Sequence, residues 1–191
     1  MIPLATIISR LFEPLVLQLL LILITALRAG IVGWTLVYTM TEIIGLVVVP
    51  PMVLLLWAIQ SKKISNWDIS NRSQRVKALA LFLCLFAVDM VFIRLMDIGA
   101  MTDLFLFFAI TLVGFFCITL FWKLSGHLST ATICIGILIH WYGWVWWPLL
   151  LLLPVLAWSR VALKRHTTAQ TVGGILFGMA MVGVGITRGL I

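Results

Sequence analysis

Seven long apolar runs separated by short polar loops constrain this chain more than any other feature. They cover residues 14–28, 36–59, 78–96, 102–122, 128–141, 146–158 and 172–186. Such runs leave no polar face for water, so the bilayer has to serve as the solvent. Composition agrees: 63% of the 191 residues are hydrophobic and 10% are charged, whereas a soluble domain carries ~25% charged residues. The runs are continuous, and the short alternating segments of a membrane barrel are missing. The expected fold is all-α, a polytopic transmembrane helix bundle of about six to seven spans. With no linker, repeat or low-complexity stretch, residues 1–191 read as a single integral membrane domain. The fifth and sixth runs fall short of the ~20 residues a span needs, so they must borrow from their flanks.

The start of the chain reads as a retained first span. Arg10 is the only early basic residue, and the apolar run ends in Arg28-Ala29-Gly30 without a small-x-small cleavage site. Residues 1–11 are expected along the membrane interface. Cys84, Cys117 and Cys134 all fall inside apolar runs, where they read as small core residues and not as a disulfide or metal set. Trp57, Trp122 and Trp158 stand near one set of helix ends, and Trp34, Trp141, Trp144, Trp146 and Trp147 near the other, as in aromatic belts. The net charge is +7. The basic residues occupy short loops, which points to topology and lipid or phosphate anions and away from nucleic acid. With seven spans, ten of the 13 Lys and Arg residues share one side with the N-terminus, and Arg28, Arg94 and Arg188 take the other. The positive-inside rule makes the richer side cytoplasmic.

Polar residues on that side concentrate in three stretches, residues 62–75, 123–127 and 159–170. Span parity brings all three to one membrane face. Their chemistry suits a phosphate. Ser125-Gly126-His127 opens a helix, whose free N–H groups and positive dipole end attract anions, and glycine allows close backbone approach. Arg160 can hold phosphate oxygens bidentately. His127 and His166 can divide the work of general acid and nucleophile. No acidic or thiol partner stands at ligand spacing beside either histidine, so neither a metal nor another cofactor is expected.

Ser159-Arg160, five further residues and His166, preceded in the chain by Ser125-Gly126-His127, resemble the type-2 phosphatidic acid phosphatase superfamily, which includes the vanadium haloperoxidases. That family carries Lys-x6-Arg-Pro, then Pro-Ser-Gly-His, then Ser-Arg-x5-His-x3-Asp. The resemblance covers the C-terminal half of the chain. Leu124 replaces the usual proline, Arg75 is followed by Val76, Asp68 stands where the first lysine is usual, and Gln170 replaces the aspartate. Gln170 can accept the same hydrogen bond from the histidine but brings no charge. The resemblance implies a metal-free lipid phosphatase. His166 would attack phosphorus and form a phosphohistidine, oriented by Gln170, and His127 would protonate the leaving alkoxide. Arg160, Arg72, Arg75 and the amides of Ser125 and Gly126 would hold the phosphate oxygens. Phosphatidate, phosphatidylglycerophosphate and polyprenyl phosphates or diphosphates all fit as substrates.

Other polar residues have quieter readings beside this one. His140 reads as interfacial. Glu42 and Asp89 lie inside spans, where they either reach the site or pack as neutral or snorkelled carboxyls. Arg94 and Asp97 are placed to pair on a helix surface. Pro50-Pro51 is expected to kink the second span, and Gly173, Gly174, Gly178, Gly183 and Gly185 to make the last one a close-packing helix. Two functions stay open. One is a phosphohydrolase acting on a lipid phosphate or diphosphate, and the other is a non-catalytic lipid-binding or transport protein on the same scaffold.

Overall fold

Each of the seven apolar runs is helical in the computed structural model, which describes residues 2–65, 69 and 71–191. The helices are α1 (Ile2–Leu11), α2 (Pro14–Arg28), α3 (Gly33–Ile43), α4 (Val49–Gln60), α5 (Arg72–Leu95), α6 (Gly99–Phe121), α7 (Gly126–Tyr142), α8 (Leu152–Ala162) and α9 (Thr168–Thr187). A π-helical turn, Ile44–Val48, joins α3 to α4, and a 3-10 segment, Trp144–Leu151, leads into α8. No strand occurs among the described residues. Asp68, which stands where the resemblance expects a lysine, lies outside the described residues.

Six rods are long and apolar enough to cross a bilayer: Ile2–Arg28, Gly33–Gln60, Arg72–Leu95, Gly99–Phe121, Trp144–Ala162 and Thr168–Thr187. The chain is an integral membrane protein with an all-helical fold. The rods outrun the apolar runs because polar caps add a turn at their ends. The Asn71 side chain accepts from the amides of Ser73 and Gln74 and starts α5. Thr167 and Gln170 form a reciprocal capping box and start α9.

The two short runs reach span length differently. Ahead of α8, eight residues wind as a 3-10 helix around Pro148. At ~2.0 Å per 3-10 residue and ~1.5 Å per α residue, the rod from Trp144 to Ala162 reaches about 32 Å, enough for a hydrocarbon core of ~30 Å. The 17 residues of α7 give only about 25 Å. This helix is instead wrapped by protein, and nine of its residues are buried, from His127 to Ile137.

Pro50-Pro51 acts through a π turn. Neither proline can donate to a carbonyl four residues back, and each ring crowds that carbonyl. The chain widens first: the Val49 amide donates to Ile44 O, five residues away. The side chains of Arg94 and Asp97 form no ion pair among the described residues. Asp97 turns left-handed at φ 54, and its amide donates to Arg94 O in the turn after α5.

The described residues form two compact units, residues 1–21 with 123–191, and residues 22–122. In the first, α7 is central and packs on α8 and α9, while α1 packs on α8. Its core joins Leu128, Ala131 and Ile135 of α7 to Leu153 and Leu156 of α8, with Ile8, Phe12 and Leu17 against them. Residues 2–11, expected at the interface, bury Ala5 and Ser9. The Ser159 hydroxyl donates to Ala5 O at 2.6 Å, which fastens α8 to α1.

Helix α9 turns a stripe of Thr171, Gly174, Gly178, Met181 and Gly185 inward. A Cβ added at Gly174 would stand 2.7 Å from Ser125 O, and one at Gly178 2.8 Å from Ser129 O. Both obstacles are backbone, which cannot move aside as a side-chain tip could. Glycine at these two positions sets how closely α7 and α9 approach. The same close approach brings the start of α9 against the start of α7.

In the second unit α5 and α6 pack as a pair. Phe86 stacks on Phe105 with centroids 5.8 Å apart. Leu55, Ile69 and Ala78 form a core cluster there.

Candidate functional site

Within the first unit, the start of α7, the end of α8 and the start of α9 meet. Hydrogen bonds tie them. Lys123 Nζ donates to Arg165 O at 2.8 Å, and the Ser125 amide donates to Gln170 O at 3.2 Å. The second and third polar stretches are thereby joined.

Local chain chemistry shapes the loop that carries His166. The end of α8 closes as a Schellman motif: the Arg165 amide reaches Arg160 O and the Lys164 amide reaches Val161 O. Lys164 takes the left-handed position at φ 54, which glycine usually fills. The His166 amide also donates to Arg160 O, at 3.3 Å. One residue later Thr167 caps α9. His166 is thus held between a helix end and a helix start, and little of its ring is exposed. Its Nδ1 lies 3.2 Å from Gln170 Oε1. With Nδ1 carrying the proton, Nε2 has the lone pair. The same Oε1 accepts from the Thr167 amide at 3.2 Å. An open hollow of about 480 Å³ lies here, lined by Val161, Lys164, Arg165, His166, Thr167, Thr168 and Gln170.

Ser125 is the N-cap of α7, but its hydroxyl makes no capping bond. The Ser125 hydroxyl and His127 Nε2 are both buried and have no hydrogen-bond partner among the described residues. Leaving a buried polar atom unpaired costs about 1–3 kcal/mol, and a polar ligand at this helix start would offset it. The amides of Gly126 and His127 find no acceptor inside the helix. The Ser125 amide, expected among the phosphate donors, is instead engaged by Gln170 O, because close packing of α7 and α9 puts that carbonyl on it.

Arg160 is almost fully buried, and its Nη1 donates to the Ser9 hydroxyl at 2.5 Å. The guanidinium expected to grip phosphate is therefore anchored to α1 by at least one of its five donors. Arg72 and Arg75 belong to the second unit. There Arg72 Nη1 donates to Phe121 O at 2.7 Å and closes the end of α6, and Arg75 Nε donates to Ile69 O at 3.1 Å. Asp89, also in that unit, is buried in α5, and Glu42 is exposed on α3. His140 is exposed in the last turn of α7.

One neighbour of the site escaped the sequence reading. Glu13 sits between α1 and α2, with Oε2 3.7 Å from His127 Nε2 and 3.7 Å from Arg10 Nη1. Pro14 explains its position. The residue before a proline is pushed out of helical geometry, and the proline then opens α2 without needing a donor. The signal was present: Glu13 is the sole acid in the Ile2–Arg28 rod and stands directly before a proline.

Among the described residues no group of three or more His, Cys, Asp or Glu side chains is arranged to hold a metal ion. No protein-family model, no curated protein and no solved structure matches the chain.

Proposed function

We propose that this protein is a membrane-embedded phosphohydrolase that removes phosphate from a lipid phosphate or diphosphate through a phosphohistidine, as a divergent member of the type-2 phosphatidic acid phosphatase superfamily. The observation that carries it is Gln170. Its side chain holds Nδ1 of His166 while its main-chain carbonyl holds the Ser125 amide. One residue thus couples the two stretches that bear the family's pattern.

In the reaction, Nε2 of His166 attacks phosphorus. The bond from phosphorus to the lipid oxygen breaks, and its electron pair leaves with that oxygen, which takes a proton from His127. Water then attacks the phosphohistidine and returns a proton to His127. A monoester yields inorganic phosphate and the lipid alcohol, and the His166 lone pair is regenerated. The Gly126 and His127 amides and the Arg160 charge stabilise the oxygens that gain charge. The substrate is a phosphatidate, phosphatidylglycerophosphate or polyprenyl phosphate class lipid, and the partners are membrane lipids.

The expected result is vanadate-sensitive release of phosphate from one member of a lipid panel by the purified protein. Vanadate can take the five-coordinate geometry of in-line transfer. Activity should persist in EDTA. Loss in EDTA restored by Mg²⁺ would contradict the mechanism.

A non-catalytic lipid-binding reading has one observation in its favour. The Ser125 amide and an Arg160 nitrogen are already committed inside the protein, while Lys164 and Arg165 line the open hollow. Phosphate release separates the two readings.

The basic asymmetry of the loops orients the site to the cytoplasm. A cysteine at Thr168, in a background without Cys84, Cys117 and Cys134, should resist membrane-impermeant reagents in intact cells and react after permeabilisation. Labelling in intact cells would reverse the orientation.

A further inference from the structure

Resting on the phosphohydrolase reading, we infer that Glu13 is the positioning residue for the general acid His127. Three observations meet at this carboxyl. His127 Nε2 is buried and lacks a hydrogen-bond partner among the described residues. Glu13 Oε2 stands 3.7 Å away, within ion-pair range but beyond hydrogen-bond contact. Pro14 fixes the backbone on which Glu13 sits, and Phe12 and Leu17 on either side pack into the core of the first unit. The carboxyl is thus carried by an anchored joint and not by a free loop.

The chemistry needs such a group. His127 must carry a proton when the lipid oxygen leaves and must recover one when water attacks. A buried positive charge needs a paired counter-charge. The elements of the first unit carry Lys123 just before α7, Arg160, Lys164 and Arg165 at the end of α8, His166 before α9, and Arg10 with Glu13 at the α1–α2 joint, and Glu13 is the sole acid of that unit. A shift of less than 1 Å would turn its contact into a charge-assisted hydrogen bond. The carboxylate then holds Nε2, compensates the imidazolium and leaves Nδ1–H for the leaving oxygen. Gln170 plays the matching part for His166 from the other ring nitrogen. The nucleophile, which must stay neutral before attack, has an amide, and the acid, which must be cationic, has a carboxylate. Arg10 pairs with Glu13 from the exposed side at 3.7 Å.

Leaving-group dependence reads this role directly. An alkyl lipid oxygen needs a proton to depart, whereas a nitrophenolate does not. Glu13→Gln should slow release from the natural lipid phosphate by roughly 10–100-fold, the scale for losing a group that orients another. On a nitrophenyl phosphate the first-turnover burst of nitrophenolate, which precedes water attack, should slow less than about threefold, well below that range. His127→Asn should show the same selective pattern. The double variant should be no worse than His127→Asn alone, since both changes remove one function. Glu13→Asp should recover part of the lipid rate. Thermal melts and gel filtration in detergent accompany each variant.

Equal losses on the two substrates, or additive losses in the double variant, would overturn the assignment and leave Glu13 a packing or folding residue. A wild-type protein that releases phosphate from neither substrate would overturn the phosphohydrolase reading itself, and the role of Glu13 with it. A wild type active on both, with Glu13→Gln unchanged on the lipid, would remove only the role of Glu13.

Discussion

Replacing His166 with alanine is expected to abolish phosphate release, with a fall of roughly 10³–10⁶-fold, the range seen when an enzyme loses its nucleophile. That fall corresponds to about 4–8 kcal/mol of transition-state stabilisation. The expectation follows from geometry. The imidazole has its Nδ1 beside Gln170 Oε1 at 3.2 Å and lines the open hollow, so in the proposed reaction Nε2 is the atom that attacks phosphorus. Neither Ser125 nor Arg160 substitutes for it as a nucleophile, because the Ser125 hydroxyl is buried and the Arg160 charge has no lone pair to give. Wild-type protein quenched in base during turnover should hold acid-labile phosphate on His166, and the alanine variant should hold none. A variant that keeps a tenth of the wild-type rate would show that His166 is not the nucleophile. Substrate affinity is the second readout. If the protein merely binds lipid headgroups, wild type and variant should both be inactive and differ only in binding.

Gln170→Ala is expected to slow turnover by roughly 10–100-fold. Its interpretation needs care because Gln170 has two duties. The Oε1 atom accepts from the Thr167 amide as well as approaching His166, and the Gln170 amide donates to the Thr167 hydroxyl at 3.3 Å. Losing the cap costs helix stability, about 0.5–2 kcal/mol. Thr167→Ala separates the duties, since it removes the capping hydroxyl and leaves the acceptor for His166. It should lower the melting temperature yet keep turnover close to wild type. Gln170→Ala should lower both. Equal turnover in the two variants would mean that the capping box is the whole role of Gln170. Gln170→Asp restores the residue usual in the resembled family. It should stay active with its pH optimum displaced upward, because a carboxylate favours the protonated imidazole and the free base then appears at higher pH. Were Glu42 or Asp89 the orienting group, Gln170→Ala would be nearly silent and Asp89→Asn or Glu42→Gln would carry the loss.

Much of this molecule is written locally. Apolar runs fix where helices form and that a bilayer surrounds them. Asn71 and Thr167 announce helix starts by residue type alone. His166 stands just before Thr167, the N-cap of α9, and the capping box that Gln170 closes with Thr167 brings its side chain to His166 locally. The glycines of α9 announce a close contact, and packing against α7 realises it at Gly174 and Gly178, while Gly183 meets nothing.

Tertiary structure decided the rest, because those partners are far apart in sequence and no periodicity links them. Ser9 and Arg160 meet across 151 residues, so nothing in the local pattern shows that the cation expected for phosphate is anchored to α1. Glu13 reads as an isolated acid until the α1–α2 joint carries it to His127. Hydropathy sums over a window and cannot separate a 3-10 rod from an α rod, so it could not tell how residues 144–162 gain their length. It also could not foresee that two prolines would be absorbed by a π turn, since that choice turns on which carbonyls the rings would strike. A hydrogen bond between distant residues is a property of packed surfaces, and packing is settled only when the whole fold is assembled.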